Sequence, residues 1–284
     1  MKKIASLILF LLTIAPLSYS QVSSLEKNAL IDLYKSTDGI NWNTTWDLNK
    51  DVQTWYGVTV ENNTVTEVNL SMNNLDGAIP STIANLKSLR SLNLGFNRLS
   101  GIIPSEIASI KSLETIQLFM NQLEGELPYN IGELVNLKKL ELFNNLITGN
   151  LPISIYNLKN LEVLQLSSNR FTGTISESIK NMKNLKTLSL FDNSMYGAIP
   201  SQIGTLSDLK ELSLANNLFE GEVPNELSNL SELETLLLNN NRFVGTIDTS
   251  IKNLPKLVNI GFNNNPKEIE ILAKPITQNS INPQ

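Results

Sequence analysis

The sequence has neither histidine nor cysteine, so its chemistry must come from carboxylates, hydroxyls, amines and amides. That excludes an imidazole general base, a Ser-His-Asp triad and a His-ligated metal. It also excludes a disulfide, a thiolate nucleophile and a zinc finger. What remains for catalysis is a pair of carboxylates, which glycoside hydrolysis holds at roughly 5–10 Å. Asp47-Leu48-Asn49-Lys50-Asp51 imitates the start of a calcium loop. Val52 stands where that loop needs Gly, however, and Val58 where it needs Glu. No phosphate-binding loop and no G-x-S-x-G occurs. The 22 Lys and Arg against 27 Asp and Glu give a net charge of −5, which argues against a nucleic-acid partner. No cofactor and no metal are expected.

Whether two carboxylates can meet depends on the elements that carry them, and these are written as a repeat. With Val65 as position 0, the frame restarts at Leu89, Leu113, Leu137, Leu161, Leu185, Leu209, Leu233 and Leu257, every 24 residues without insertion. Position 8 is Asn throughout, from Asn73 to Asn265, and position 12 is Gly in each complete unit, from Gly77 to Gly245. Apolar residues hold positions 3, 5, 10, 14, 18 and 21. Eight full units and a truncated ninth therefore cover residues 65–272.

Each unit has a physical reading. Ser91-Leu92-Asn93-Leu94-Gly95 alternates polar and apolar residues, the pattern of a short half-buried strand. The following Asn can pair backbone groups that a tight turn would leave unsatisfied. Gly at position 12 suits a backbone conformation that a Cβ opposes. Ile or Leu followed by Pro at positions 14 and 15 marks an extended segment. Ser176 and Asp248 replace that Pro in two units. One unit cannot bury its own apolar face but stacked units can, so the architecture is a solenoid.

The motif L-x-x-L-x-L-x-x-N-x-L-x-G-x-I-P resembles the plant-type leucine-rich repeat. The resemblance implies an α/β solenoid, a curved superhelix with a parallel concave β-sheet and a second, shorter strand layer beside it. It also implies a non-enzymatic recognition scaffold. Residues 21–64 are not repeats. Ser23 and Glu26 have capping-box spacing, and Leu25, Ala29, Leu30, Leu33 and Tyr34 fall near one helical face. Thr37-Asp38-Gly39 stops that helix. Trp55-Tyr56-Gly57-Val58 resembles the middle of the family's cap signature C-x-W-x-G-V-x-C, with Gln53 and Val60 in place of the two Cys. The missing Cys make it similar to a secreted bacterial-type member. Core packing is the better reading of Trp42, Trp46 and Trp55.

Residues 1–20 read as a signal peptide: Lys2 and Lys3, an apolar run from Ile4 to Ala15, then Ser18 and Ser20 before a cleavage site at Gln21. No second apolar run of membrane length follows, so the expected destination is secreted, periplasmic or cell-surface. Sequons at Asn43, Asn62, Asn69 and Asn229 matter only in a glycosylating host. Ile269, Ile271 and Leu272 are candidates to cover the end of the core, and residues 273–284 read as a loose tail.

The exposed concave positions 2, 4, 6 and 7 carry Glu67, Glu141, Asp192 and Glu211. Asp192 and Glu211 are on adjacent strands but five positions apart, roughly 15 Å or more, and Glu141 has Gln117 and Gln165 beside it. No pair suits acid/base work, and an enzyme is not expected. Position 1 mostly alternates in sign along Arg90, Glu114, Lys138, Glu162, Lys186, Lys210 and Glu234, which reads as lateral ion pairing in preference to a partner-docking stripe. Against a mostly polar sheet, Phe119, Phe143 and Phe191 fall at position 6; Phe119 and Phe143 are on adjacent strands, with Phe96 and Met120 beside those two. Together with Lys139 and Glu141 they form the candidate ligand site. Phe171, Phe219 and Phe243, at position 10, belong to the core. The expected partner is a protein or peptide, or a surface glycan. The alternative is a structural or adhesive surface protein with no defined small site, in which the aromatics only support the sheet.

Overall fold

The computed structural model describes residues 21–266 and 270–272. The proposed signal peptide, Ile269 and the tail 273–284 lie outside the described residues. A ten-stranded sheet runs the length of the molecule. Its strands are β1 (Val58–Glu61), β2 (Thr64–Asn69), β3 (Ser91–Asn93), β4 (Thr115–Gln117) and β5 (Lys139–Glu141), followed by β6 (Val163–Gln165), β7 (Thr187–Ser189), β8 (Glu211–Ser213), β9 (Thr235–Leu237) and β10 (Asn259–Gly261). From β2 onward each strand pairs in parallel with the next, 24 residues later, in unshifted register. These are the nine strands that the nine frames require. β1 adds an antiparallel strand, turned by Asn62 and Asn63, both at positive φ. Two consecutive left-handed residues are what a tight hairpin needs.

The core is continuous. Leu92, Leu94 and Leu99 belong to the same buried cluster as Leu140, Leu142 and Ile147, and Phe171, Phe219 and Phe243 lie fully inside it. Short parallel pairs past the Asn turn, such as Arg170–Thr172 with Thr148–Asn150, form the second strand layer. Each Pro then precedes a single turn of 3-10 helix, as Pro80 does for Ser81–Asn85. Pro fixes the φ that enters this turn and its missing N–H costs nothing there. The convex side is thus built of 3-10 turns. Among the described residues the one α-helix is α1 (Ser24–Ser36), in the cap.

The Asn ladder closes the turns. Asn145 Nδ2 donates to the carbonyls of Leu118 and Leu142, each at 3.0 Å, and its Oδ1 accepts from Leu123 N–H at 3.0 Å. One buried amide thus ties two successive repeats together. Where Ser176 replaces Pro, its N–H needs an acceptor, and the Tyr156 hydroxyl supplies it at 3.0 Å.

The cap closes the first repeat. Ser23 Oγ accepts from Glu26 N–H at 3.2 Å, the N-cap half of the capping box expected, and donates to the Glu26 carboxylate at 2.9 Å. The buried Glu26 also accepts from Val65 N–H at 3.1 Å, so the helix start is pinned to the first repeat. Trp42, Trp46 and Trp55 are buried, and their indole N–H groups donate to the carbonyls of Thr37, Tyr56 and Asp47. Trp46 stacks on Trp55 with centroids 4.7 Å apart. Gln53 and Val60 line one small hollow between α1 and β1. At the other end, the strand Glu270–Leu272, which carries the expected cover residues Ile271 and Leu272, pairs with Thr246–Asp248.

Candidate functional site

The alternation of each strand points positions 3 and 5 into the core and 2, 4 and 6 away from it. Phe119 and Phe143 accordingly lie outside the buried core. They do not stand free in solvent, as the pattern had suggested. Both are half-buried, because they lean sideways and stack on each other, centroids 4.7 Å apart and planes within 5°. Phe96 meets the edge of Phe119 at 5.4 Å and 87°. Gly95 makes room for this: a Cβ there would lie 2.8 Å from the Phe119 ring. Three consecutive repeats therefore present one continuous aromatic array.

The backbone beneath adds a second feature. Every position 7, from Met72 to Asn264, has a positive φ between 51° and 59°. Its N–H donates to the position 6 carbonyl of the next repeat, as Met120 does to Phe143 at 2.8 Å. The left-handed conformation suits Asn, Asp or Gly and penalises other side chains by roughly 1–2 kcal/mol. Asn144, Asp192, Asn216, Asn240 and Asn264 comply. Met72, Phe96 and Met120 do not, and their side chains are 69%, 46% and 37% exposed. Ser168, small and half-buried, also holds this conformation, but Met72, Phe96 and Met120 are the three positions where it displays large, exposed apolar groups. Met72 and Gly95 escaped the sequence reading. The signal was present, as large apolar residues at position 7 of the first three repeats where the later ones carry Asn, Asp or Ser.

Three of the sequence-assigned site residues sit differently from expectation. Glu141 is only 9% exposed. Gln117 Nε2 donates to it at 2.6 Å and Lys139 approaches to 3.5 Å, so it is a satisfied carboxylate held within the sheet. Lys139 is half-buried and committed to that pair. Phe191 is not part of the array: β6 separates its strand from that of Phe143, and the position 6 residue there is Ser167, whose hydroxyl shares a hydrogen bond with Ser189 at 2.7 Å. A shallow depression lined by Phe143, Asn144, Gln165, Ser167 and Ser168 borders the stack on that side. Beyond it the concave face turns polar. There the side-chain amide of Asn240 donates to Asn216, and that of Asn264 to Asn240.

The position 1 charges pair laterally: Glu114 with Lys138 at 2.7 Å, Glu162 with Lys186 at 2.7 Å, Lys210 with Glu234 at 3.7 Å. The hydrogen bond from Lys138 to Glu114 raises the lysine pKa. These exposed pairs form a register-keeping ladder.

A repeat scaffold with an aromatic patch on its parallel sheet is the class of protein this geometry defines. The chain belongs to the leucine-rich repeat family, whose sequence profiles match residues 63–123, 135–195, 208–230 and 232–254. Its fold is that of plant receptor ectodomains. The ectodomain of the Arabidopsis thaliana membrane receptor kinase GASSHO1/SCHENGEN3, in complex with Casparian strip integrity factor 2, superposes with a TM-score of 0.80 and 32% identity, over 84% of this chain and 30% of that one. The Arabidopsis receptor kinase HAESA ectodomain, in complex with an IDA peptide hormone, gives 0.76 and 31%, over 84% and 41%. A plant ice-binding protein shares the fold at 0.76 with 24% identity, over 86% and 80%. The chain spans about a third of the length of the first of these plant receptor structures. Comparison with curated proteins gave no match. Among the described residues no helix is long and apolar enough to cross a membrane.

Proposed function

We propose that the protein is an exported recognition module that binds an extended peptide or protein segment on its concave sheet, centred on Phe96, Phe119, Met120 and Phe143. The observation that carries this reading is the strain at Met72, Phe96 and Met120. Lateral support of the sheet accounts for Phe119 and Phe143 alone. It gives no reason to place three bulky apolar side chains, all exposed, in a conformation that Asn adopts more cheaply four times in the later repeats. Exposed apolar groups on a rigid face are the usual anchors of a binding surface. The complex of the similar HAESA ectodomain with an IDA peptide hormone supports a peptide as the ligand class. Export rests on Lys2, Lys3 and the apolar run Ile4–Ala15, and mass spectrometry of the protein from its native host should find Gln21 at the N-terminus.

The experiment is selection from a displayed library of random dodecapeptides, run on the wild type and on the Phe96→Asn/Met120→Asn double variant. Enrichment of apolar and aromatic side chains on the wild type, lost on the variant, is the expected result. Equal enrichment on both would move the ligand site elsewhere.

A further inference from the structure

The acids of the concave face are not equivalent. Glu141 is held by Gln117 and Lys139, and Thr59 Oγ1 reaches Glu67 at 3.5 Å. Glu211, on β8, is half-buried and has no hydrogen bond or ion pair to its carboxylate among the described residues. Its lateral neighbours in register are Thr187 and Thr235, and along the strand the next residue on the same face is the buried Ser213, all side chains shorter than its own. The nearest lysines in sequence register are occupied: Lys186 by Glu162 and Lys210 by Glu234. Burial pushes the Glu211 carboxyl up from its ordinary value, with no nearby cation to offset it. A carboxylate that is partly desolvated and unpaired is a net cost to the folded protein. Such costs are characteristically retained where a ligand later supplies the partner.

Resting on the peptide-binding reading above, we propose that Glu211 receives a cationic side chain of the ligand, so that the site takes a peptide combining an apolar residue with an Arg or Lys. The face as a whole agrees. Its outward positions carry Glu67, Glu141, Asp192 and Glu211 against Lys139 alone, and the chain's net charge of −5 steers cations toward it. Three strand steps separate Phe143 from Glu211, and four residues along the strand direction, about 20 Å in all. That is about six residues of extended peptide.

The test extends the library selection to Glu211→Gln, a variant that keeps the side-chain shape and whose folding is checked by thermal melting. The expected result is enrichment of Arg and Lys on the wild type that disappears on Glu211→Gln, while the apolar enrichment stays. An isolated peptide from the wild-type pool should lose roughly tenfold in affinity on the variant. The same peptide with citrulline in place of Arg should bind both forms equally. Basic enrichment that persists on Glu211→Gln, or that never arises on the wild type while apolar enrichment does, overturns this inference and leaves the peptide-binding reading standing. No enrichment of any kind on the wild type overturns both.

Discussion

The Phe143 ring lies parallel to that of Phe119, 4.7 Å away, and Phe119 in turn covers Gly95. The two rings therefore serve the sheet and a ligand at once, and their truncation should show it. Phe119→Ala should cost about 1–2 kcal/mol, the value of a half-buried aromatic pair. Phe171→Ala, deep in the core, should cost about 3–5 kcal/mol. Denaturant midpoints of the two variants check this, and equal losses would make Phe119 a core residue.

The left-handed turn at position 7 gives an unusual expectation, that one class of substitution improves the fold. Met120→Asn should stabilise the protein by about 0.5–1 kcal/mol, by relieving part of the conformational penalty, while Phe96→Asn, which also gives up the edge contact with Phe119, should be close to neutral. Thermal melts read the sign directly. A drop in stability would mean that these side chains are anchored by packing.

The Asn pair at residues 144 and 145 separates backbone strain from hydrogen bonding. Asn145→Ala strands the carbonyls of Leu118 and Leu142 and the N–H of Leu123, and should cost about 1–3 kcal/mol. Asn144→Ala loses no buried bond but places Ala at a φ of 55°, and should cost about 1 kcal/mol. Gly at 144 should be close to neutral, and Gly at 145 as costly as Ala. Equilibrium denaturation of the four variants distinguishes the two causes.

Tyr156 and Ser176 form a matched exception to the Pro rule. Burial raises the Tyr156 hydroxyl pKa, opposed by the hydrogen bond from Ser176 N–H. Restoring Pro at 176 removes that donor, and despite returning the sequence to the repeat pattern it should destabilise by about 1–3 kcal/mol. Tyr156→Phe, which strands the N–H, should do the same, and the double variant should cost less than the sum.

Glu211 makes stability depend on pH. Its folded pKa is raised above the ordinary 4.5, so the folded state binds the proton more tightly than the unfolded one. The penalty is absent below pH 4.5, grows as pH rises through the folded value, and is complete above it. Glu211→Gln should therefore raise the melting temperature at pH 7 and leave it unchanged near pH 3. An equal difference at both pH values would place the cause outside ionisation.

The 24-residue frame made the solenoid, its nine parallel strands and its Asn ladder readable without coordinates, because each feature recurs with a fixed side chain in a fixed place. Alternation also assigned the correct face to Phe119 and Phe143. It could not give their sideways lean, since tilt depends on the neighbour in space, here Gly95, and on stacking between repeats. The burial of Glu141 was hidden for the same reason: the long amide of Gln117 reaches across one strand spacing to cover it. The separation of Phe191 could have been counted from Ser167. The strain at Met72, Phe96 and Met120 was visible as their departure from the small polar Asn, Ser and Asp of later repeats, once the turn is known to be left-handed. The hairpin before β2 was announced by Asn62-Asn63, outside the repeat.

The most direct measurement is a paired one on the Phe96→Asn/Met120→Asn double variant: melting temperature, and affinity for a peptide selected on the wild type, by calorimetric titration. Removing two apolar anchors, each worth roughly 1.5–3 kcal/mol when buried by a partner, should weaken binding at least about 30-fold while the melting temperature stays level or rises. Unchanged affinity in a variant that melts no lower than the wild type would contradict the assignment of this face as the ligand site.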